Sequence, residues 1–443
     1  MTLAGKKLLI MGGNAETGLL VDTANRLGIV TIVVDPNPAA PAKKYAARSY
    51  ERDGFDIDGI VAIARKERVD GVLVGVADIL VLPYAKVCAK LRLPCYATTE
   101  SAIAFTGKDH FRNLVRRYEI QSTPSFDLDS SLDSANVSAL RFPLMLKPVD
   151  NGAGVGMVVC KDRESLRGAV AVAVAHSVRG SFLAERYMDC DDTFAYYTMC
   201  DGKVHLSAMA DRITTRKQET SSRVCLAARY PSKHLSAFDA AMENKVESMV
   251  KGVGVRNGVL NIQFWVEDGT FYAYDPGFRL QGEAPHIYLK HFYGLDHREM
   301  LLRFALTGDM GGCEALKHCD AEFGGRVACT LWFLLTAGVI RHIDGMEAIR
   351  SDPNVISVMQ RFAEGDEVTQ SMIGTERQVF ARVYIAGSDE ESLFDAIRRV
   401  NDCLLITDEQ GRDMILEKYQ PNTNGAGAEE RNEQDSVRRR HEP

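Results

Sequence analysis

Residues 142–160, FPLMLKPVDNGAGVGMVVC, set the tightest limit on what this chain can fold into. Leu144, Met145 and Leu146 supply an apolar strand, Lys147 stands at its end, and Pro148 cannot donate to a continuing ladder. Gly152, Gly154 and Gly156 then make a loop that can bend sharply and approach a ligand closely. Met157, Val158 and Val159 resume an extended pattern. A strand, a lysine and a glycine flap suit a polyphosphate, because backbone N–H groups line the anion and an ammonium neutralises part of its charge. The order of these parts excludes two other phosphate-binding schemes. A Walker loop needs its lysine after the glycines, and Lys147 precedes them. A protein kinase needs HRD and DFG, and neither tripeptide occurs.

Around the flap the chain reads as alternating elements. An apolar strand over 7–11, a helix over 15–27 and a buried strand over 29–34 open a doubly wound parallel sheet. Asp35 has the spacing of a dinucleotide-binding acid, but Gly12, Gly13 and Gly18 do not make GxGxxG, so a tight turn is expected there instead. A helix over 57–67, a strand over 71–76, a helix over 80–91 and a short element starting at 94–96 complete a unit with four parallel strands. The next helix, over 106–117, carries Lys108 near its start. Beyond the flap come a helix over 163–176 and a strand over 181–184 that ends in Glu185, Arg186, Tyr187 and Met188. Two hairpins follow, 193–200 with 203–209 around Asp201-Gly202, and 258–266 with 270–275 around Asp268-Gly269. A long helix over 237–253 lies between them, and a helix over 297–306 follows. In the second hairpin a three-residue loop sets Gln263 opposite Asp275 on one face, whereas a two-residue loop sets them on opposite faces.

Net charge of −7 and the lack of a basic stripe exclude a nucleic-acid footprint. Lys6 and Lys7 open a short strand and not a long apolar segment, so neither a signal peptide nor a membrane span is expected. The ten cysteines are scattered without a CxxC pair, which reads as reduced thiols in a cytoplasmic protein.

The motifs in order are Lys108 in a leading helix, FPLMLKP with NGAGVG, FLAERYM, YDPGFRLQG, and AGVIRHIDGMEAI with later EGDEV and ITDEQGRDM. This order resembles the ATP-grasp superfamily, in its branch with biotin carboxylase and carbamoyl-phosphate synthetase. The resemblance implies an α/β and α+β fold: a Rossmann-like pre-ATP-grasp domain over 1–105, an ATP-grasp domain over 106–310 with a flap subdomain over about 125–188, a C-terminal α+β lobe over 311–418, and a disordered tail over 419–443. It further implies ATP and Mg²⁺ as cofactors. Lys147 and Lys108 resemble the nucleotide-facing lysines, with Gly152, Gly154 and Gly156 over the phosphates. Glu185, Arg186, Tyr187 and Met188 resemble the adenine hinge, and Asp192 the ribose acid. Asp275 resembles the second metal-binding acid and Arg279 the arginine that steadies the transferred phosphoryl group. The family's first acid falls on Gln263, and its asparagine after the second acid falls on Gly277.

The activity implied is an ATP-dependent carboxylate–amine ligase that forms an acyl phosphate on a small carboxylate. The rivals are a bicarbonate-phosphorylating carboxylase and a degenerate ATP-binding regulatory module. Arg212, Glu283, Asn14 and Asp78 are the acceptor-site candidates, with His286 and Asp211 beside them. Partners are then small carboxylates and amines, with no membrane or nucleic acid, and a homodimer is expected by analogy.

Overall fold

The computed structural model describes residues 2–128, 132, 137, 140–150, 155–215 and 223–421. Gly152, Gly154 and most of the expected tail lie outside the described residues.

Leu8 to Met11 are wholly buried, as are Ile32 and Val33, and such continuous apolar runs belong in parallel strands covered on both faces. The strand Lys7–Met11 pairs in parallel with Val30–Val34 on one side and Gly71–Val74 on the other. The fourth strand is Arg48–Tyr50, beside Val30–Val34, and not the segment 94–96. An exposed edge strand of sequence RSY carries no apolar run, so the hydrophobic pattern could not reveal it. Tyr96 instead packs its ring on Tyr84 and Phe278, at 5.2 and 5.1 Å between centroids.

A second, nine-stranded sheet runs in the order 355–360, 379–387, 327–334, 225–230, 203–214, 191–200, 258–267, 270–277, 121–122. Its two central hairpins turn on Asp201-Gly202 and Asp268-Gly269, where all four residues have positive φ, the twist that two-residue hairpins require. One face is closed by the helix Leu235–Gly252, whose Phe238 meets Phe264 and Phe271 edge-on at 5.0 and 5.1 Å. The opposite face carries the polar residues described below.

The flap has a sheet and a small core of its own. Its strands run in the order Ser125–Phe126, Phe182–Arg186, Leu144–Pro148, Val158–Cys160. Leu144, Leu146 and Cys160 bury against Leu166, Ala169, Val170 and Ala173 of the helix Leu166–Ala175. A further three-stranded sheet, Glu367–Val368, Gly338–Asp344 and Leu405–Asp408, lies near the C-terminus.

The cysteine reading needs correction, because Cys200 and Cys313 are joined as a disulfide across 113 residues, with Cα atoms 5.7 Å apart. The other eight are free thiols. Cys200 ends a strand and Cys313 follows the helix His297–Thr307, so only the three-dimensional fold brings them together. Among the described residues no helix is long and apolar enough to cross a membrane.

An ion cluster ties the front sheet to the last strands. Glu16, in the first turn of the helix Ala15–Arg26, pairs with Arg361 and with the fully buried Arg382, at 2.8 Å from the latter. Arg382 also pairs with Glu376 at 3.0 Å, donates to the Gly282 carbonyl at 2.7 Å, and lies over the Trp332 ring. Burial alone would raise the Glu16 pKa, but the two guanidinium groups bring it from 4.5 down to about 2. A folded pKa below the unfolded one means stability that is complete above pH about 4.5 and is lost as pH falls toward 2. Glu16→Gln is therefore expected to cost about 3 kcal/mol at pH 7 and to flatten the acid limb of urea-unfolding stability against pH. An unchanged acid limb would exclude this cluster as its source.

Candidate active site

The hairpin of Gly258–Glu267 and Thr270–Gly277 is built differently from the simple alternatives. Its loop has two residues, with Glu267 facing Thr270, a register that by itself would set Gln263 and Asp275 on opposite faces. A β-bulge at Tyr274 intervenes: Phe264 faces Ala273, and the next pair is Gln263 with Asp275. The extra residue re-aims the strand. Phe264, Phe271 and Ala273 stay in the core, while Gln263, Tyr274 and Asp275 are half-buried on the other face. Asn261 shares that face two residues before Gln263 and lies opposite Gly277. It is 4% exposed, and its Oδ1 has no hydrogen-bond partner among the described residues.

The flap sheet forms a second wall. Lys147 faces Leu183 across the ladder, so Glu185 is its diagonal neighbour, and Lys147 Nζ lies 2.7 Å from Glu185 Oε2 with both side chains buried. Lys108, in the helix Lys108–Arg117, joins this group. Burial lowers its ammonium pKa, Asp275 opposes that, Lys147 adds to it, and Glu185 and Asp78 also oppose it. The remaining hinge residues diverge. Arg186 turns to Glu267 at 2.5 Å, the Tyr187 amide donates to the Pro143 carbonyl at 3.2 Å, and Met188 is buried. Gly156 has φ +76°, and a Cβ there would fall 2.4 Å from His176 Cβ, so the flap can carry only glycine at this point.

The front domain reaches the same cleft through Asp78. Its carboxylate pairs with Arg279 Nη2, while Arg279 Nη1 donates to the Leu280 carbonyl at 2.9 Å. The absent side chain at Gly277 explains how the pair fits, since a Cβ there would sit 3.3 Å from Asp78 Oδ1 and 3.5 Å from Arg279 Cζ. Burial raises the Asp78 pKa, Arg279 lowers it, Asp275 raises it further, and Lys108 lowers it. Asp78 Oδ1 is shielded from solvent and unpartnered among the described residues. Asn14, by contrast, is engaged locally: it caps the helix Ala15–Arg26 through Thr17 and donates to the Val76 carbonyl at 2.7 Å.

A buried brace adjoins these groups. Arg212 pairs with Asp192 at 2.7 Å and with Glu283 at 3.2 Å, and Tyr274 donates to Asp192 at 2.8 Å. Burial pushes the Asp192 carboxyl up to about 6 against the pull of Arg212. Tyr274 also stacks on Trp265, with centroids 4.5 Å apart. Asp211, the sequence neighbour of Arg212, instead accepts from Ser232 and from the Lys233 amide. His286 is buried, its Nδ1 is unpartnered among the described residues, and burial lowers its pKa strongly.

The structure thus brings Lys108, Lys147, Glu185, Asp275, Gln263, Asp78 and Arg279 into one interacting group, with the Asp192–Arg212–Glu283 brace beside it. Sequence reasoning missed Asn261, Tyr274, Glu376, Arg382 and Glu16. Asn261 alone had a usable signal, its two-residue offset from Gln263 on a strand. Two buried ammonium groups thus lie near a carboxylate and amide oxygens, a set of charges that can meet a polyphosphate and a hard divalent cation. Asp275, Gln263 and the unpartnered Asn261 oxygen are all hard donors, so the residues present fit Mg²⁺.

Residues 107–306 match the family described as the carbamoyl-phosphate synthase L chain, ATP binding domain. The carbamoyl phosphate synthase large chain of Vibrio cholerae is 25% identical over 266 residues, covering 59% of this chain and 24% of that one. Its counterpart in Helicobacter pylori is 23% identical over 305 residues, covering 67% and 27%. The chain therefore spans about a quarter of the length of these curated relatives. Among solved structures, an L-amino acid ligase from Bacillus licheniformis superposes with a TM-score of 0.74 at 19% identity, covering 92% of this chain and 99% of that one. The biotin carboxylase domain of a Hydrogenobacter thermophilus 2-oxoglutarate carboxylase, in complex with MgADP, ADP and bicarbonate, gives 0.72 at 16% identity, covering 91% and 90%. Residues 107–306 thus match this ATP-binding domain, and along most of its length the chain is similar in fold to these ligase and carboxylase structures.

Proposed function

We propose that this protein is an ATP-dependent carboxylate–amine ligase acting on small molecules. The observation that carries the reading is the meeting of Lys108, Lys147, Asp275 and Arg279 at one cleft, inside the matched ATP-binding domain.

In this reading a substrate carboxylate oxygen attacks the γ-phosphorus of ATP while the bond to the ADP oxygen breaks, giving an acyl phosphate. An amine nitrogen then attacks the acyl carbon, phosphate leaves, and the nitrogen loses a proton. Phosphoryl transfer asks mainly for positioning and charge neutralisation. Lys147 and Lys108 would bind the phosphates, and Arg279, fixed by Asp78 and the Leu280 carbonyl, would steady the moving phosphoryl group. Mg²⁺ would be held by Asp275 and Gln263, and it neutralises phosphate charge when bound. The segment 183–188 would hold adenine and Asp192 the ribose. The flap, including Gly152, Gly154 and Gly156, would exclude water that otherwise hydrolyses the acyl phosphate. Glu283, paired with Arg212, and Asp78 would border the acceptor.

A panel of amino acids in pairs, with bicarbonate included, tests this by ADP and phosphate release. Release is expected only with a particular carboxylate and amine together. Stimulation by bicarbonate alone would replace the ligase reading with carboxylate chemistry on bicarbonate.

A further inference from the structure

The hairpin offers one carboxylate, Asp275, and a neutral amide, Gln263, and Gly277 offers no side chain at all. Two oxygens stand at that gap. Asn261 lies directly opposite Gly277, is 4% exposed, and has an unpartnered Oδ1. Asp78 comes from the front domain, about two hundred residues earlier in the chain, and places its own unpartnered, shielded Oδ1 3.3 Å from where a Gly277 Cβ would sit. Both atoms accept and neither donates. Buried acceptors left without donors cost free energy unless a proton donor or a cation meets them.

Resting on the nucleotide reading above, we propose that Asp78 and Asn261 complete a divalent-cation site with Asp275 and Gln263, so that the cation is shared between the front domain and the hairpin. Mg²⁺ takes one or two carboxylates together with phosphate oxygens and water, and Asp78 with Asp275 makes two. Asp78 has the free atom for this role, because Arg279 occupies only its other oxygen, Oδ2. The side chain missing from the hairpin is thus replaced from another domain. The cation then holds the two walls of the cleft together, and Lys108 supplies the neighbouring positive charge on the phosphate side.

Electron paramagnetic resonance of Mn²⁺, titrated into the full chain with a non-hydrolysable ATP analogue, reads the site without turnover. Asp78→Asn keeps the shape and is expected to weaken Mn²⁺ binding by about tenfold or more. Arg279→Met removes the partner of Asp78 and a phosphate contact but no metal-binding oxygen, and with the analogue at saturation it is expected to leave Mn²⁺ binding equal or tighter. If Asp78→Asn fails to fold, Asn261→Leu reports on the same gap with a several-fold loss. Unchanged Mn²⁺ affinity in Asp78→Asn overturns the proposal, as does an equal loss in Arg279→Met, which would mean that Asp78 acts only through Arg279. Analogue binding measured without metal keeps the two ideas apart. No analogue binding by the wild-type chain overturns the nucleotide reading, whereas intact analogue binding with metal affinity indifferent to Asp78 overturns only the cation assignment.

Discussion

Asp275→Asn is expected to reduce Mg²⁺-dependent turnover by on the order of a hundredfold or more while leaving the fold at least as stable. The two effects separate because Asp275 is half-buried on the cleft face of its hairpin, away from the Phe264 and Phe271 core. Asparagine keeps the shape and a neutral oxygen. It also removes a negative charge that acts on Asp78 and raises that group's pKa, so the unliganded protein loses a repulsion. Lys108 loses a counter-charge in exchange. Melting temperature should therefore hold or rise slightly as ligand-free protein, and the stabilisation given by ATP with Mg²⁺ should disappear. Wild-type turnover in this variant would place the metal elsewhere.

Lys147→Ala is expected to do damage of two kinds. It removes the ammonium assigned to the phosphates, and ATP affinity measured calorimetrically should fall by about tenfold or more. It also strands Glu185, whose carboxylate is buried 2.7 Å from the ammonium. Breaking a buried pair from one side costs about 3 kcal/mol or more, because the survivor is left as an uncompensated charge. The second variant that separates these losses is Lys147→Ala with Glu185→Gln. It should recover most of the stability and little of the ATP affinity. If ATP affinity is unchanged in Lys147→Ala, the lysine is a strut for Glu185 and nothing more.

What could be read in advance depended on distance along the chain. Lys147, Gly156 and the strands on either side are contiguous, and their order alone separated this flap from Walker and kinase loops. The hairpin was half legible. Its turn residues Asp268-Gly269 specify two residues, which argues against a shared face, and the shared face arises only because Tyr274 bulges. Nothing in the spacing marks that bulge, since β-branched, aromatic and acidic residues are all compatible with either register. The glycine at 277 was visible as a departure, but the side chain that stands beside it, Asp78, lies far earlier in the chain. The Glu16–Arg382 pair spans 366 residues and the Cys200–Cys313 bond 113, separations over which periodicity carries no information. Arg48–Tyr50 was hidden for the opposite reason: it is local, but it is a polar edge strand that hydrogen bonding creates and hydrophobic pattern does not.

Tyr274 gives the cleft an unusual tolerance to changes in length. As the extra residue of the bulge it can be deleted without shifting the ladder, and Gln263 would still face Asp275 in the shortened hairpin. Such a deletion would take away the hydroxyl that holds Asp192 and the ring that stacks on Trp265, and nothing from the paired oxygens. The hairpin therefore separates two properties under deletion of its bulged residue. Loss of that one residue changes the brace behind Arg212, while the facing pair at the hairpin's far end keeps its register.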